Sequence, residues 1–456
     1  MKARSQAVIV AVLILLGGYV IADAVDVAPG FLTAADVPSE PRAYPEVADF
    51  EVFDAHVPPF GNAADLSPEA IATAAEQLAA DPRNTGSTAF AVRDLEGNLL
   101  YEMAGNDGKV PASNMKVLTA AAALAELGPN TTLPTSAMLA GDTLYLVGGG
   151  DIYLALDQGD PGARIGRAGL GDLADQVTEM LTDRGVTSIL LNVDSSLFSG
   201  ANYNDMVQGI DRSYIMPMRP LAIDRGRLDG FYSATPDIDA GNVFAERLRE
   251  RGIEVQAIGT AVAPSSAQQV GVVHSAPIRD LVDHCLTVSD NSMAEVLGHL
   301  VAIERGLSAD FGGAAKGVRD SITEQGFATT GLIVSDTAGL STDNRVSASL
   351  LTEILVEAAV CTECPLSSLP HGMPVAGLSG TLTERFWELE SSGLVRAKTG
   401  TLVEANSLSG YVTTSGGHVL TFSILIDGLE LGTTAIVRPA IDEALNALAM
   451  GEQDAG

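Results

Sequence analysis

A hydroxyl followed three positions later by an amine, Ser113-Asn114-Met115-Lys116, is the first of three short groups along the chain; Ser289-Asp290-Asn291 and Lys398-Thr399-Gly400-Thr401 follow in order. A serine hydroxyl is a weak nucleophile until a neighbouring base takes its proton. On a helix, Lys116 would share the face of Ser113 within hydrogen-bond reach. Burial under apolar residues, with Lys398 as a second cation nearby, would lower its amine towards the range of a working base. Ser289 offers a second hydroxyl to relay a proton to a leaving amine, and Asn291 an amide to hold a substrate carbonyl and the lysine. In the third group, Lys398 with Thr399 and Thr401 could anchor a terminal carboxylate. Gly400 would let a substrate backbone approach a strand edge, and the Thr401 N–H would complete an oxyanion hole. The chemistry these residues support is acyl transfer through a serine ester.

Each group also has a plainer reading. The first could be a helix start with a surface lysine, the second a Ser/Asn helix cap, the third a Thr-Gly turn. The elements around them bear on the choice. Ser67-Pro68-Glu69 begins an Ala-rich helix through Ala80, and Thr88–Arg93 and Leu99–Met103 flank Glu96-Gly97-Asn98 as an antiparallel pair. Met115 to Leu127 reads as an apolar helix closed by Gly128-Pro129, which puts Ser113 at a helix N-terminus whose N–H groups can serve an oxyanion. Two helical stretches between Ala276 and Arg305 bracket Ser289, with Asn291-Ser292 able to cap the second. Leu394–Ala397, Ser407–Thr413 and Val419–Ile426 alternate as short strands, and Thr434–Ala449 is a closing amphipathic helix. Residues 133–274 are rich in β-branched residues and turns and carry a helix at Val243–Arg251, which reads as a separate α+β insertion; Gly148-Gly149-Gly150 is a turn rather than a phosphate loop.

The chain has 456 residues, 46% of them hydrophobic, enough for two or three cores. A formal charge of −32 excludes a nucleic-acid partner, whose phosphates it would repel. Met1-Lys2-Ala3-Arg4, an apolar run from Ala7 to Ala22 and the site Ala22-Asp23-Ala24 mark residues 1–24 as an export signal or signal-anchor, which would place the rest outside the cytoplasm. Pro29, Pro38, Pro41, Pro45, Pro58 and Pro59 mark residues 25–65 as a tether. Cys361 and Cys364 suit a loop disulfide or two free thiols, and Cys285 a small buried hydrophobe. Glu295 and His299 share a helix face but have no visible third ligand, so they read as a helix-surface pair and no metal or other cofactor is expected.

Taken together the three groups resemble those of the class C low-molecular-mass penicillin-binding proteins, the D-alanyl-D-alanine carboxypeptidase and endopeptidase family. Pro111–Thr119, Leu127-Gly128-Pro129, Asp336–Ser341, Asn344–Ser347, Met373–Gly377 and Gly380-Thr381-Leu382 extend the likeness from about Leu66 to the last helix. The resemblance implies an α+β fold: a penicillin-binding transpeptidase/β-lactamase-like domain of antiparallel sheet flanked by helices, formed by residues 66–132 and 275–456, with the smaller α+β domain inserted at 133–274. It implies Ser113, Lys116, Ser289, Asn291 and Lys398 as catalytic residues and Lys398, Thr399, Gly400 and Thr401 as substrate-binding ones. Peptidoglycan stem peptides would be the substrate, with cleavage of D-alanyl-D-alanine and of D-Ala cross-links, and β-lactams covalent inhibitors. One departure is the interval 289 − 113 = 176 residues, shorter than in the fullest members, so an inserted domain is reduced or missing. A β-lactamase would need a carboxylate to position water; no clear candidate stands between Ser289 and Lys398, with Glu295 and Glu384 left open. A non-catalytic penicillin-sensing or wall-binding module is a further alternative, against which the complete set of reactive residues argues.

Overall fold

The computed structural model describes residues 67–228 and 230–451 together with Tyr19. Apart from Tyr19, the expected export segment and tether lie outside the described residues. Among the described residues no helix is long and apolar enough to cross a membrane.

In chain order the elements are α1 (Pro68–Ala80), β1 (Ser87–Arg93), β2 (Leu99–Met103), α2 (Met115–Leu127), β3 (Thr132–Ala140), β4 (Thr143–Val147), β5 (Asp151–Leu154), α3 (Leu170–Asp183), β6 (Ser188–Asp194), β7 (Leu221–Ile223), β8 (Arg227–Leu228), β9 (Phe231–Tyr232) and α4 (Pro236–Glu250). There follow β10 (Glu254–Thr260), β11 (Gln268–Pro277), α5 (Ile278–Val288), α6 (Asn291–Glu304), α7 (Phe311–Glu324), α8 (Ala348–Val360), β12 (Val395–Leu402), β13 (Ala405–Thr413), β14 (Val419–Asp427) and α9 (Arg438–Met450).

The first sheet is antiparallel in the order β12-β13-β14-β1-β2, so chain ends far apart in sequence meet where β14 pairs with β1. Both its faces are covered, which the alternation of β1 makes visible. Phe90 and Val92 pack with α1 and α9 residues such as Ile71, Leu78, Ile441 and Leu445, while Ala89 and Ala91 face the core around α2. That helix is buried all round from Met115 to Leu124, and its alanines let α5, α6 and α8 approach closely. Gly128 closes it with a φ of 81°. The second sheet, β10-β6-β4-β3-β11, is mixed: β4 and β10 run parallel to β6, while β3 pairs antiparallel with β4 and β11. Its core gathers Leu144, Leu146, Leu191, Leu173 and Phe244 against α3 and α4.

Three readings need correcting. Asp290, not Asn291 or Ser292, caps α6, its side chain accepting from the Met293 N–H. Glu295 and His299 are buried rather than on a helix surface; the His299 ring packs against Phe198 and Phe311, each 5.0 Å away between centroids. The last helix starts at Arg438 instead of Thr434, because Thr433–Ile436 closes a turn first. Cys361 and Cys364 form a disulfide, and Cys285 is free and buried.

Asp151, at the start of β5, is fully buried; one carboxylate oxygen accepts from the Tyr153 N–H and the other has no partner among the described residues. Burial pushes its pKa up to about 7. The folded state therefore holds this proton more tightly than the unfolded chain does. The associated stability is complete below the ordinary value of 3.8 and is lost as pH rises to about 7. The loss is at most on the order of 4 kcal/mol. In Asp151→Asn nothing titrates, so the melting temperature of the variant relative to wild type should climb between pH 4 and pH 8; a constant difference would refute the assignment.

Candidate active site

Ser113 sits in a 3-10 turn, Ala112–Asn114, that leads straight into α2. Ala112 before it has a left-handed φ of 46°, a strained conformation for a residue with a side chain, and strain of this kind concentrates at reactive sites. The turn is clamped from three sides. Ser407 of β13 donates to the Pro111 carbonyl at 2.7 Å and accepts from the Asn114 amide at 2.5 Å. A Cβ on Gly339 would lie 1.9 Å from the Ala112 carbonyl oxygen, and one on Gly400 would lie 2.1 Å from Ser407 Oγ and 2.8 Å from the Pro111 oxygen. Gly400 is thus required by the nucleophile's own turn.

Lys116 lies one helical turn on from Ser113 and is buried. Its Nζ is 3.1 Å from Ser113 Oγ, 2.7 Å from Asn291 Oδ1 and 2.5 Å from the Ala338 carbonyl oxygen. Burial lowers the amine's pKa from its ordinary value, against the opposing influence of Cys285, Asp336, Asp290 and Glu295. Ser289 occupies a left-handed position (φ 58°) between α5 and α6, and its Oγ accepts from Lys398 Nζ at 2.9 Å. Lys398 also donates to the Thr399 carbonyl at 2.7 Å. It is fully buried, and its pKa is held well below the usual lysine range, first by burial and then by the charge of Lys116. The expected mutual effect of two cations is therefore felt at Lys398. The amine of Lys398 meets Ser289 rather than open solvent, which leaves the Thr399 and Thr401 hydroxyls as the groups of this strand that face neighbouring cavities.

A cavity of about 980 Å³ opens over the turn and is lined by Ser113, Asn291, Tyr214, Gly339, Arg345 and Thr401 among others. Thr399 lies beside it in a second hollow with Thr381, whose Oγ1 is 2.7 Å away, and Arg438, which donates to Thr401 Oγ1 at 3.3 Å. β12, which carries Lys398 to Thr401, is an edge strand, so these residues are not in a turn. Of the eight residues singled out from sequence, Ser113, Asn291 and Thr401 line the cavity and Thr399 the hollow beside it, while Lys116 is bonded to Ser113 and Asn291, Lys398 to Ser289 and the Thr399 carbonyl, and Gly400 packs against the turn.

The residues that sequence reasoning missed lie behind Lys116. Glu295 accepts from the Thr337 and Ala338 N–H groups at 2.9 and 3.0 Å, fixing the peptide whose carbonyl holds the lysine. Its carboxyl is pushed up to about 8, by burial first and then by Asp336. Bonded into that loop, it does not face the cavity to hold a water. Asp336 in turn accepts from Gly339, Leu340 and Ser341. The Asp-x-x-Gly spacing was the available signal, since a carboxylate before a glycine commonly organises a tight turn.

Comparison with known proteins agrees with this geometry. The profile of the D-Ala-D-Ala carboxypeptidase 3 (S13) family matches residues 71–230 and 228–449. A carboxypeptidase of Mycobacterium tuberculosis is 36% identical over 389 residues, 81% of this chain and 82% of the relative. The D-alanyl-D-alanine carboxypeptidase of an Actinomadura species is 26% identical over 441 residues, 79% and 81% of the two chains. Among solved structures, penicillin binding protein 4 of Haemophilus influenzae superposes with a TM-score of 0.67 at 20% identity, covering 82% of this chain and 99% of that one. The same protein complexed with a β-lactam gives 0.63. With its antiparallel sheet, flanking helices and serine–lysine opening, the chain belongs to the S13 family of serine D-Ala-D-Ala carboxypeptidases.

Proposed function

We propose that Ser113 is the nucleophile of this carboxypeptidase and that its substrates are peptidoglycan stem peptides ending in D-alanyl-D-alanine. The observation that carries this reading is the 3.1 Å contact between Ser113 Oγ and a buried amine of lowered pKa, at the floor of a cavity shared with Asn291 and Thr401. Ser113 Oγ attacks the penultimate D-alanine carbonyl while Lys116 takes its proton. The backbone N–H groups of Ser113 and Thr401 receive the developing oxyanion, and Thr399 and Thr401 hold the terminal carboxylate. Lys398 and Ser289 pass a proton to the departing nitrogen, the C–N bond breaks, and D-alanine leaves. Water then cleaves the ester and regenerates Ser113. An extended peptide can lie along the open edge of β12. The same chemistry extends to D-Ala cross-links, because only the group on the leaving nitrogen differs. The basic and apolar start of the chain supports action outside the cytoplasm.

The test is to incubate the protein with uncross-linked and cross-linked muropeptides and with a penicillin. The expected products are the stem peptide shortened by one D-alanine and a penicilloyl adduct on the peptide bearing Ser113. A lasting adduct fits a peptidase, and one that decays in milliseconds would instead indicate a β-lactamase. No adduct and no D-alanine release would refute the reading.

A further inference from the structure

The segment between β3 and β11 does more than form a second sheet, because it reaches back and binds three consecutive side chains after Ser289. Asp290 is almost wholly buried, and while one of its carboxylate oxygens caps α6, the other accepts from Tyr153 Oη at 3.2 Å and lies 3.6 Å from Arg225 Nη1. The Asn291 amide donates to the Tyr214 carbonyl at 2.9 Å, and Ser292 Oγ accepts from the Met216 N–H at 3.0 Å. Asn291 is thereby held between this segment and Lys116.

Two features indicate that this grip is specific. Asp224 and Arg225 both have left-handed backbones, with φ of 40° and 59°, a strained arrangement that persists only where the surroundings over-determine it. Tyr153, 3% exposed, is braced edge-on by the His284 ring of α5, 5.2 Å away between centroids, so its hydroxyl has little freedom to point elsewhere. A buried carboxylate with no compensating donors would repel its own burial and pull on nearby protons.

Resting on the reading of Ser113 as nucleophile, we propose that Tyr153 and Arg225 are positioning residues for its acylation. They hold Asp290 in place and neutralise it, and so fix Ser289 and Asn291 against the two lysines. Asp290 is faced by Tyr153 from β5, Arg225 from the strained loop, Arg227 from β8, and His284 and Cys285 from α5. Lys116 is faced by Cys285, Asp290, Glu295, Asp336 and Lys398. Removing the Arg225 charge leaves Asp290 less compensated, which favours protonated Lys116 and moves the acid limb of acylation to higher pH.

The experiment measures the second-order rate of labelling by a fluorescent penicillin from pH 5 to 10, together with the melting temperature, for the full chain and for Arg225→Met, Arg225→Lys and Tyr153→Phe. The expected result for Arg225→Met is a tenfold to hundredfold slower reaction at pH 7 with its acid limb displaced upward. Arg225→Lys should return the limb, and Tyr153→Phe should slow labelling threefold to tenfold. Should Arg225→Met not fold, Tyr153→Phe, which removes one oxygen, decides by the same readouts. Rates within twofold of wild type, or slowing that follows a lower melting temperature with an unmoved limb, overturn the positioning role. Absence of labelling in wild type overturns the underlying reading of Ser113 as well.

Discussion

Lys116→Met is expected to slow acylation by a β-lactam about a thousandfold while leaving the melting temperature unchanged or raised. The kinetic part follows from contact: the amine is the only basic nitrogen bonded to Ser113 Oγ among the described residues, and positioned bases contribute about 10²–10⁴ in rate. The stability part follows from burial. Lys116 lies in a helix buried all round over its first ten residues and, among the described residues, makes no ion pair, so its charge is held out of water at a cost. Methionine has similar length and no such cost. Ser113→Ala should be as inactive, and the double variant no worse than either, because residues acting as one unit are not additive. Stopped-flow or gel-based labelling alongside thermal melts checks both halves. More than a tenth of wild-type rate in Lys116→Met would assign the base elsewhere.

The second large effect concerns a residue with no functional group. Gly339→Ala should lower both stability and acylation, the latter by more than a hundredfold, because the new Cβ would stand 1.9 Å from the carbonyl oxygen of Ala112. With φ at 84° the position is also strained for any side chain, a cost of about 1–3 kcal/mol. Something must move, and what moves is the turn carrying Ser113 or the loop carrying the Ala338 carbonyl; misplacement by about 1 Å can cost two orders of magnitude in rate. Gly326→Ala is the control. It has φ of 91° but open space around it, so it bears the backbone strain without the collision. Equal losses of labelling in the two variants would show that the close approach of Gly339 to Ala112 is unimportant.

How far the chain could be read from its letters depended on range. Ser67 with Pro68, the Glu96-Gly97-Asn98 turn and Gly128 act on neighbours a few residues away, and α1, the β1–β2 pair and α2 fall where these signals put them. The three reactive groups were legible for a related reason, since the Ser113–Lys116 spacing is itself a helical contact. What remained hidden depends on partners brought together by the fold rather than by short spacing in the chain. The space that Gly400 must leave is set by Pro111 and Ser407, the burial of Lys398 by the docking of Ser289, and the capping role of Asp290 by Tyr153 and Arg225. Glu295 and His299 share a face by periodicity, but only the packing of Phe198 and Phe311 decides that the face points inward.

The two buried amines have a consequence for proton traffic. Lys116 and Lys398 lie on either side of the 289–291 segment, both out of water, and the charge of one disfavours the charge of the other. Such a pair accommodates one added proton readily and a second poorly. On the mechanism proposed above, the proton that Lys116 takes from Ser113 joins a pair of amines that holds one charge more easily than two, so the two lysines titrate as a unit rather than singly.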